Sequence, residues 1–450
     1  MKCGIIVNLK RGDSCCKKCK YVLNLLTMEK QTVVIIGGGF AGMNLAKRLD
    51  YKKYNVKVID RNNYHSFPPL FYQIASSALD VPSISFPFRR EFKKTKGKVT
   101  YHMGHVKNID IEAKTITTSY ETLSYDKLVI AAGSTNNYFG MEGLDETVFA
   151  IKTSAEASHT RDEILDRLER ACIEKDPERR RKLLRFLVIG GGPAGVEIAG
   201  ALGEMKRDVL PREYPELNSE DMTITLVEGT DRLLSAFDAK LSDKAYDYLK
   251  QLLVEIRLNT VMKGYKDKIV TFADNHEEYW ETLIWTAGVM GEPMPGLPAD
   301  KIGHGGRIMV DEYSRVVGTD DVFAIGDISI MNTPDYPKGH PQVAQPAIQQ
   351  AKTLAKNLNC GSMTYPFKYN DKGTMATIGR NKAIAQVGKM TFAGRFAWWL
   401  WMLIHLISIL GVRTKATVLL NWIWNYCTYS TSLRLLMRPA KFPLRRHWGD

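Results

Sequence analysis

The chain has 450 residues, 62 Lys and Arg against 49 Asp and Glu, a formal charge of +13 and a pI near 9.2. With 44% hydrophobic and 25% charged residues its composition is ordinary for a globular protein, which excludes whole-chain disorder and a polytopic membrane protein, and the length allows two or three domains. Residues 1–27 carry +5 and residues 395–450 carry +7, so residues 28–394 stand near neutral at +1. Charge confined to the ends argues against a nucleic-acid partner, which would meet a basic face on a folded domain, and favours an anionic membrane surface.

Residues 1–27 also hold four of the seven cysteines, Cys3, Cys15, Cys16 and Cys19, leaving Cys172, Cys360 and Cys427 for the rest. That distribution excludes a disulfide framework and points to a reducing compartment. Cys16 and Cys19 have the spacing of a metal or redox pair, yet no second Cys/His pair stands nearby to complete a zinc site. No clean apolar stretch with a cleavage site makes the segment a signal peptide. It reads as a disordered or artefactual extension before a working start at Met28, and no metal is expected.

Val33-Val34-Ile35-Ile36 is a β-branched run that enters Gly37-Gly38-Gly39-Phe40-Ala41-Gly42, then a helix from Met43 to Leu49, then Val56-Lys57-Val58-Ile59-Asp60. Strand, G-x-G-x-x-G, helix, strand, acid is the order of a dinucleotide-binding βαβ unit. Gly37 makes the tight turn, Gly39 lets backbone approach a pyrophosphate, and Gly42 allows the helix to pack on the strand. The helix N-terminus offers unpaired N–H groups to phosphate. Asp60 is placed to accept hydrogen bonds from an adenosine ribose.

The pattern recurs. Phe186-Leu187-Val188-Ile189 enters Gly190-Gly191-Gly192-Pro193-Ala194-Gly195, and the later strand Thr223-Ile224-Thr225-Leu226-Val227 ends in Glu228. One such hexapeptide is weak evidence; two in full context, each with a terminal acid, predict an α/β fold with two Rossmann-like domains. A carboxylate at Glu228 favours the free 2′-hydroxyl of NADH over the 2′-phosphate of NADPH, although the insertion at 207–222 sets this acid late. Glu197, two residues past Gly195, has apolar neighbours in Val196, Ile198 and Ala199. A carboxyl buried there has a raised pKa and can carry a proton.

His340-Pro341-Gln342-Val343-Ala344-Gln345-Pro346 opens a helix whose apolar residues Ala344, Ala347, Ile348, Ala351, Leu354, Ala355 and Leu358 recur at three and four. Pro346 is tolerated in the first turn. Gln345 and Gln349 are four apart and share a face. A carboxamide donates and accepts, which suits a quinone carbonyl before and after protonation, although glutamines at this spacing are usually just solvated.

Leu128-Val129-Ile130-Ala131-Ala132-Gly133-Ser134 and Val322-Phe323-Ala324-Ile325-Gly326-Asp327 read as further strand ends. With the first glycine loop they resemble the three FAD-binding motifs of the two-dinucleotide-binding flavoproteins, in which the first unit holds FAD and the second, inserted unit holds NAD(P)H. Ala344-Gln345-Pro346-Ala347-Ile348-Gln349 resembles the A-Q-x-A-x-Q signature of the type II NADH dehydrogenases, single-subunit NADH:quinone oxidoreductases that do not pump protons. Asp60-Arg61-Asn62-Asn63-Tyr64-His65, Ile284-Trp285-Thr286-Ala287-Gly288 and Gly379-Arg380-Asn381-Lys382-Ala383 are similar to the same family, and the resemblance covers roughly residues 30–440.

The resemblance implies FAD on Gly37, Gly38, Gly39, Phe40, Ala41, Gly42, Asp60, Val106, Ala132, Gly133, Asp327, Ala344, Gln345 and Lys382. It implies NADH on Gly190, Gly192, Gly195, Glu228 and Gly288, and a quinone (menaquinone or ubiquinone) at Gln345 and Gln349, with Glu197 handling protons. The expected division is an FAD domain at 28–149 and 291–385, an NADH domain at 150–290, and C-terminal membrane-docking helices at 386–450. A homodimer attached peripherally to the cytoplasmic face of a bacterial inner membrane is expected. A sulfide:quinone oxidoreductase shares fold, FAD and membrane tail, but needs reactive cysteines at the flavin, and none lies between Gly42 and Cys172. The glutamine signature weighs against the other alternative, a membrane-tethered NADH-sensing flavoprotein that signals without turnover, which a turnover measurement decides.

Six of the eight tryptophans, Trp398, Trp399, Trp401, Trp422, Trp424 and Trp448, lie in the last 53 residues. Residues 396–412 are almost wholly apolar; as one helix they would reach about 25 Å, short of the ~30 Å hydrocarbon core. Residues 416–437 form a second expected helix with a polar stripe at Thr417, Asn421, Asn425 and Thr428. Basic, Trp-rich helices of this kind lie in the membrane interface. A single span and a buried dimer interface are the alternatives.

Overall fold

The Val/Ile run of Gln31–Ile36 ends in four buried residues with no polar side chain, so it must be covered on both faces, and it becomes the middle strand of a five-stranded parallel sheet. The computed structural model describes residues 29–428, 431 and 433–436; the expectations for residues 1–28 and for the basic stretch beyond 436 lie outside the described residues. Across the first sheet the order is Val322–Ala324, Lys127–Ile130, Gln31–Ile36, Tyr54–Asp60, Val99–Met103, all parallel. Across the second it is Phe149–Ala150, Thr282–Trp285, Arg185–Ile189, Thr223–Val227, Glu255–Arg257, again all parallel.

The two sheets are copies of one plan. In each, a glycine loop leaves the middle strand and the neighbouring strand delivers the acid. A three-stranded antiparallel meander then carries the chain to the other side, Val106–Asp110 to Thr122–Ser124 in the first unit and Met262–Lys266 to Glu277–Tyr279 in the second. This is the expected α/β class with two Rossmann-like units. Ser134–Asn136 pairs antiparallel with Val289–Gly291, so the exit to the second unit and the return from it run side by side. Phe149 already pairs with Ile284 in the second sheet, so that sheet begins just before the expected boundary at 150. The insertion at 207–222 is taken up by a π turn, Met205–Val209, and a short helix, Leu210–Glu213, that prolong the helix Pro193–Glu204.

A third, antiparallel sheet, Thr374–Thr377, Ala383–Val387 and Met390–Ala393, carries the C-terminal helices. The strand Ala383–Val387 spans the expected division between 385 and 386, which therefore cuts a hydrogen-bonded hairpin. The apolar run 396–412 is not one helix: Arg395–Ser408 stops, the chain turns at Gly411, and Val412–Thr428 begins. Gly411 has φ +82°, and a Cβ there would lie 2.5 Å from the Phe86 ring, so the break is made by a tertiary contact that hydropathy does not show. Ala397, Trp401 and Met402 from the first helix and Thr414, Val418 and Trp422 from the second are buried against the body. Asn425, from the expected polar stripe, points inward and donates to the Ala78 carbonyl at 3.1 Å. The outer face is the apolar one. Among the described residues no helix is long and apolar enough to cross a membrane.

Candidate active site

The first glycine loop follows its spacing. Gly37 has φ +97° and a Cβ there would stand 2.3 Å from the Ala131 carbonyl oxygen, which only glycine tolerates. That approach sets Ala132 and Gly133 directly beside the loop. Gly39 and Gly133 have nothing within 4 Å of where a Cβ would be, so this side of the loop is open to a ligand. Gly38 N–H donates to Asp60 Oδ2 at 2.7 Å and Asn62 N–H to Oδ1 at 2.8 Å. Burial still pushes the Asp60 carboxyl above its ordinary value, against the pull of these two donors. Phe40 stands edge-on to His65 at 5.4 Å, and Ala41 is buried under the loop. Gly104 N–H donates to the Asp60 carbonyl at 3.0 Å, which places Val106, two residues on, next to the acid's strand end. Open glycines, a held carboxylate and a small-residue turn fit the adenosine and pyrophosphate of FAD.

The second loop repeats this geometry. Gly191 N–H donates to Glu228 Oε2 at 2.6 Å, while the Thr230 N–H and hydroxyl both donate to Oε1 at 2.8 Å. Gly192 is open like Gly39. A cavity of about 380 Å³ opens at the carboxyl ends of the second sheet, walled by Gly190, Glu228, Thr260, Trp285 and Ala287 among others. Gly288 is not part of that wall; its carbonyl accepts from Asn137 N–H at 3.0 Å, where the two linkers cross.

Gly326, at φ +80°, brings three elements to one point: a Cβ there would lie 3.2 Å from the Ala41 Cβ and 3.4 Å from the Ala347 Cβ. The first glycine helix, the Gly326-Asp327 turn and the glutamine helix Ala344–Cys360 therefore meet as the motifs require. Asp327 Oδ2 accepts from the Ser134 hydroxyl at 2.7 Å, and Lys152 Nζ donates to Ser134 Oγ at 2.7 Å while standing 3.8 Å from the same carboxylate. Lys152 was not an expected site residue. It is aimed by the capping box of Thr153 and Glu156 that follows it, and by Glu156 accepting from Asn136 Nδ2 at 3.0 Å.

Ala344 and Gln345 are half-buried in the first turn of the glutamine helix, and the Gln345 carboxamide has no hydrogen-bond partner among the described residues. Gln349 is occupied: Nε2 donates to the Asn370 carbonyl at 2.9 Å and Oε1 accepts the Asn370 N–H at 3.0 Å. Both ends of its amide hold a neighbouring loop. Gln350 is buried and accepts the Gly326 N–H at 2.6 Å, and Gln342 Nε2 donates to the Asp327 carbonyl at 3.1 Å. Neither was expected, though Gln350 had a signal, since it falls three past Ala347 on the apolar stripe.

Glu197 lines a cavity of about 140 Å³ together with Tyr72, Glu204, Thr377, Trp398 and Trp422. Burial pushes its carboxyl well above the usual carboxylate range, opposed only by a backbone hydrogen bond from Thr377. Glu204, seven residues on along the same helix, is also raised by burial and accepts the Arg380 N–H. Tyr72 Oη accepts from Gln73 Nε2 at 2.8 Å, and Gln73 Oε1 accepts from Trp422 Nε1 at 2.8 Å. The outer wall is the C-terminal hairpin, fastened by Arg380 donating to the Tyr426 carbonyl at 3.0 Å. Gln345 and Gln349 do not line this cavity.

A family model described as pyridine nucleotide-disulphide oxidoreductase matches residues 31–351, and one described as NDH2 C-terminal domain matches residues 372–428. Two solved structures share the fold at low identity. NDH2 of Plasmodium falciparum, in complex with NADH, aligns with TM-score 0.82 at 21% identity over 91% of this chain and 100% of that one. The sulfide:quinone oxidoreductase of Aquifex aeolicus aligns with TM-score 0.67 at 20% identity over 83% and 90%. A type II NADH:quinone oxidoreductase of Mycobacterium tuberculosis is 33% identical over 413 residues, spanning 88% of each chain. The chain belongs to the type II NADH:quinone oxidoreductase family.

In this type II NADH:quinone oxidoreductase three thiols lie among the described residues. Cys360 and Cys427 are exposed, and Cys172 is half-buried on the helix Ser154–Ile173 of the second unit, all three unpaired. Burial raises the Cys172 thiol, which makes it a poor nucleophile. Lys382, expected at the flavin, is faced by Tyr248, Arg207, Glu204 and Asp208, all of the second unit. Burial and Arg207 push its ammonium down.

Proposed function

We propose that the protein oxidises NADH and reduces a membrane quinone without pumping protons. FAD, when bound, would supply the two-electron chemistry that links NADH to quinone, and the protein orients donor and acceptor. The first glycine loop and Asp60 hold its adenosine and pyrophosphate, with Ala132, Gly133, Val106 and Ala344 around it and Asp327 held in place by Ser134 and Lys152. The second loop, Glu228 and the cavity beside them hold NADH. Gln345, whose amide is uncommitted, donates to a quinone oxygen. Gln349 acts one step away by fixing the Asn370 loop. Glu197 holds the proton that the reduced quinone oxygen requires. The observation that carries this reading is the half-buried carboxyl of Glu197, raised by desolvation in a cavity walled by a hairpin whose outer face is apolar. That face docks on the bilayer and lets a lipid-soluble quinone, menaquinone or ubiquinone, approach from the membrane side. A homodimer on the cytoplasmic face of a bacterial inner membrane completes the proposal, and its mass in detergent tests the stoichiometry.

The deciding experiment is steady-state oxidation of NADH by detergent-purified protein with a short-chain quinone. Fast NADH-dependent quinone reduction with no bleaching by sulfide supports the reading. Bleaching by sulfide and not by NADH sinks it in favour of the sulfide enzyme, and bleaching by NADH without reoxidation by quinone favours a sensor. Glu228→Gln should narrow the preference for NADH over NADPH by about tenfold, the worth of one lost charge repulsion near a surface site; an unchanged ratio means the acid does not read the 2′ position. Gln345→Ala should raise the KM for quinone roughly tenfold through one lost hydrogen bond. Gln349→Ala should lower Tm more than Gln345→Ala does, because it frees a loop. Equal quinone effects without the Tm difference would return Gln349 to direct contact.

A further inference from the structure

We infer that residues 89–98 form the part of this surface that selects anionic lipid headgroups, seated at the tip of the apolar hairpin. The inference rests on the membrane docking proposed above and adds to it a charged partner site outside the C-terminal helices.

The hairpin's outer face is strongly apolar, with Ile407 64%, Val412 85%, Leu420 66% and Trp424 62% exposed. Patches of that size and character on a soluble surface mark a membrane or protein contact. The tip of the hairpin, Gly411, rests on the Phe86 ring, and the short helix Val81–Ile84 packs against Val412–Thr428. Four residues after Phe86, Arg90 lies back over the same ring at 5.5 Å. The basic segment and the apolar tip therefore share one aromatic side chain as their common support.

From that point the chain reads Arg89-Arg90-Glu91-Phe92-Lys93-Lys94-Thr95-Lys96-Gly97-Lys98, with six cations against one acid. All six cations are exposed, whereas Glu91 is buried and ion-paired with both Lys47 and Lys94. Among the described residues, Arg89, Arg90, Lys93, Lys96 and Lys98 form no ion pair. Arg89 lies 5.2 Å over the Tyr101 ring and Lys98 lies 5.9 Å over Tyr51, contacts that hold the side chains without neutralising them. The mount is rigid, because Phe88 and Phe92 are buried and stacked 6.0 Å apart beneath it. Exposed Arg413 adds a cation on the tip itself. Basic charge is therefore not confined to the chain ends, contrary to the expectation from segment totals. A segment of net +5 within a body of net +1 leaves the remainder of residues 28–394 acidic. Self-repelling cations, five of the six without a carboxylate partner and contiguous with a membrane-seeking face, are complementary to a lipid surface that is itself negative.

The test uses the full chain and vesicles of phosphatidylcholine alone or mixed with phosphatidylglycerol, read by co-sedimentation at low and high salt. Each Lys or Arg near an anionic surface strengthens binding by about fivefold. The variant R90Q/K93Q/K96Q/K98Q should therefore lose at least about 50-fold of its affinity for mixed vesicles at low salt, after allowance for screening, and none for neutral ones. Its NADH oxidation in detergent with a short-chain quinone should equal that of the wild type, which shows that it folds. A variant that keeps the full preference for phosphatidylglycerol overturns the assignment while leaving docking intact. A wild type that binds neither vesicle overturns the docking reading as well. Wild-type protein held as tightly by duplex DNA as by mixed vesicles overturns lipid selection in favour of a nucleic-acid partner.

Discussion

Glu197→Gln should slow quinone reduction by about 10²–10⁴-fold, the usual worth of a positioned acid or base, while anaerobic bleaching of the bound flavin by NADH proceeds at the wild-type rate. The carboxyl lines a cavity whose outer wall is aromatic, and burial holds it protonated well above the usual range. The amide keeps the shape and the hydrogen bond from Thr377 but has no proton to transfer, so only the step that consumes a proton suffers. The wild-type quinone step should fall as pH rises through the raised value, and the variant should be flat over the same window. Stability follows the same group. The folded state retains the proton at a pH where an unfolded glutamate has lost it, so Glu197 favours folding at low pH, and this contribution disappears as pH rises through the folded value. Relative to wild type, the Gln variant should therefore melt higher above that window than below it. Stopped-flow reduction by NADH, reoxidation by quinone and thermal melts across pH separate these effects; a variant slowed equally in both half-reactions would show Glu197 to be a packing residue.

The second large effect separates the two cofactors. A Cβ on Gly42 would lie 1.9 Å from the Gly37 carbonyl oxygen, and one on Gly195 would lie 1.8 Å from the Gly190 carbonyl oxygen, both rigid backbone. Forcing a methyl into either place costs ~3 kcal/mol or more, roughly 100-fold in affinity for what the loop binds. Gly42→Ala should therefore yield protein depleted of FAD, with the yellow flavin absorbance largely gone. Gly195→Ala should stay yellow and instead require roughly 100-fold more NADH for half-maximal rate. If both variants lose flavin alike, or both keep it, the assignment of the first unit to FAD and the second to NADH is wrong.

The glycine loops and their acids were legible because everything they need is local: a turn, a close backbone approach, a strand ending in a carboxylate. The same holds for the α/β class, since two βαβ patterns carry their own topology. Other parts depend on residues far apart in the chain. Ser134, Lys152 and Asp327 form one hydrogen-bonded group across 193 residues, and only the folding of the second unit out of the first puts Lys152 there. The periodicity of the glutamine helix was sufficient to set Gln345 and Gln349 on one face. It could not say that Asn370 takes both ends of one amide and leaves the other free. Hydropathy found the apolar C-terminal stretch but missed its break, because Gly411 turns against Phe86, a residue 325 positions earlier. Counting charge by chain segment hid the cations at 89–98, whose neighbour in space is that same turn. The cofactor loops are settled by consecutive residues alone, because local backbone sterics are written in them. Which amide is uncommitted and which cations border the apolar face emerge only on folding, because unpaired polarity and adjacency are properties of what packs alongside.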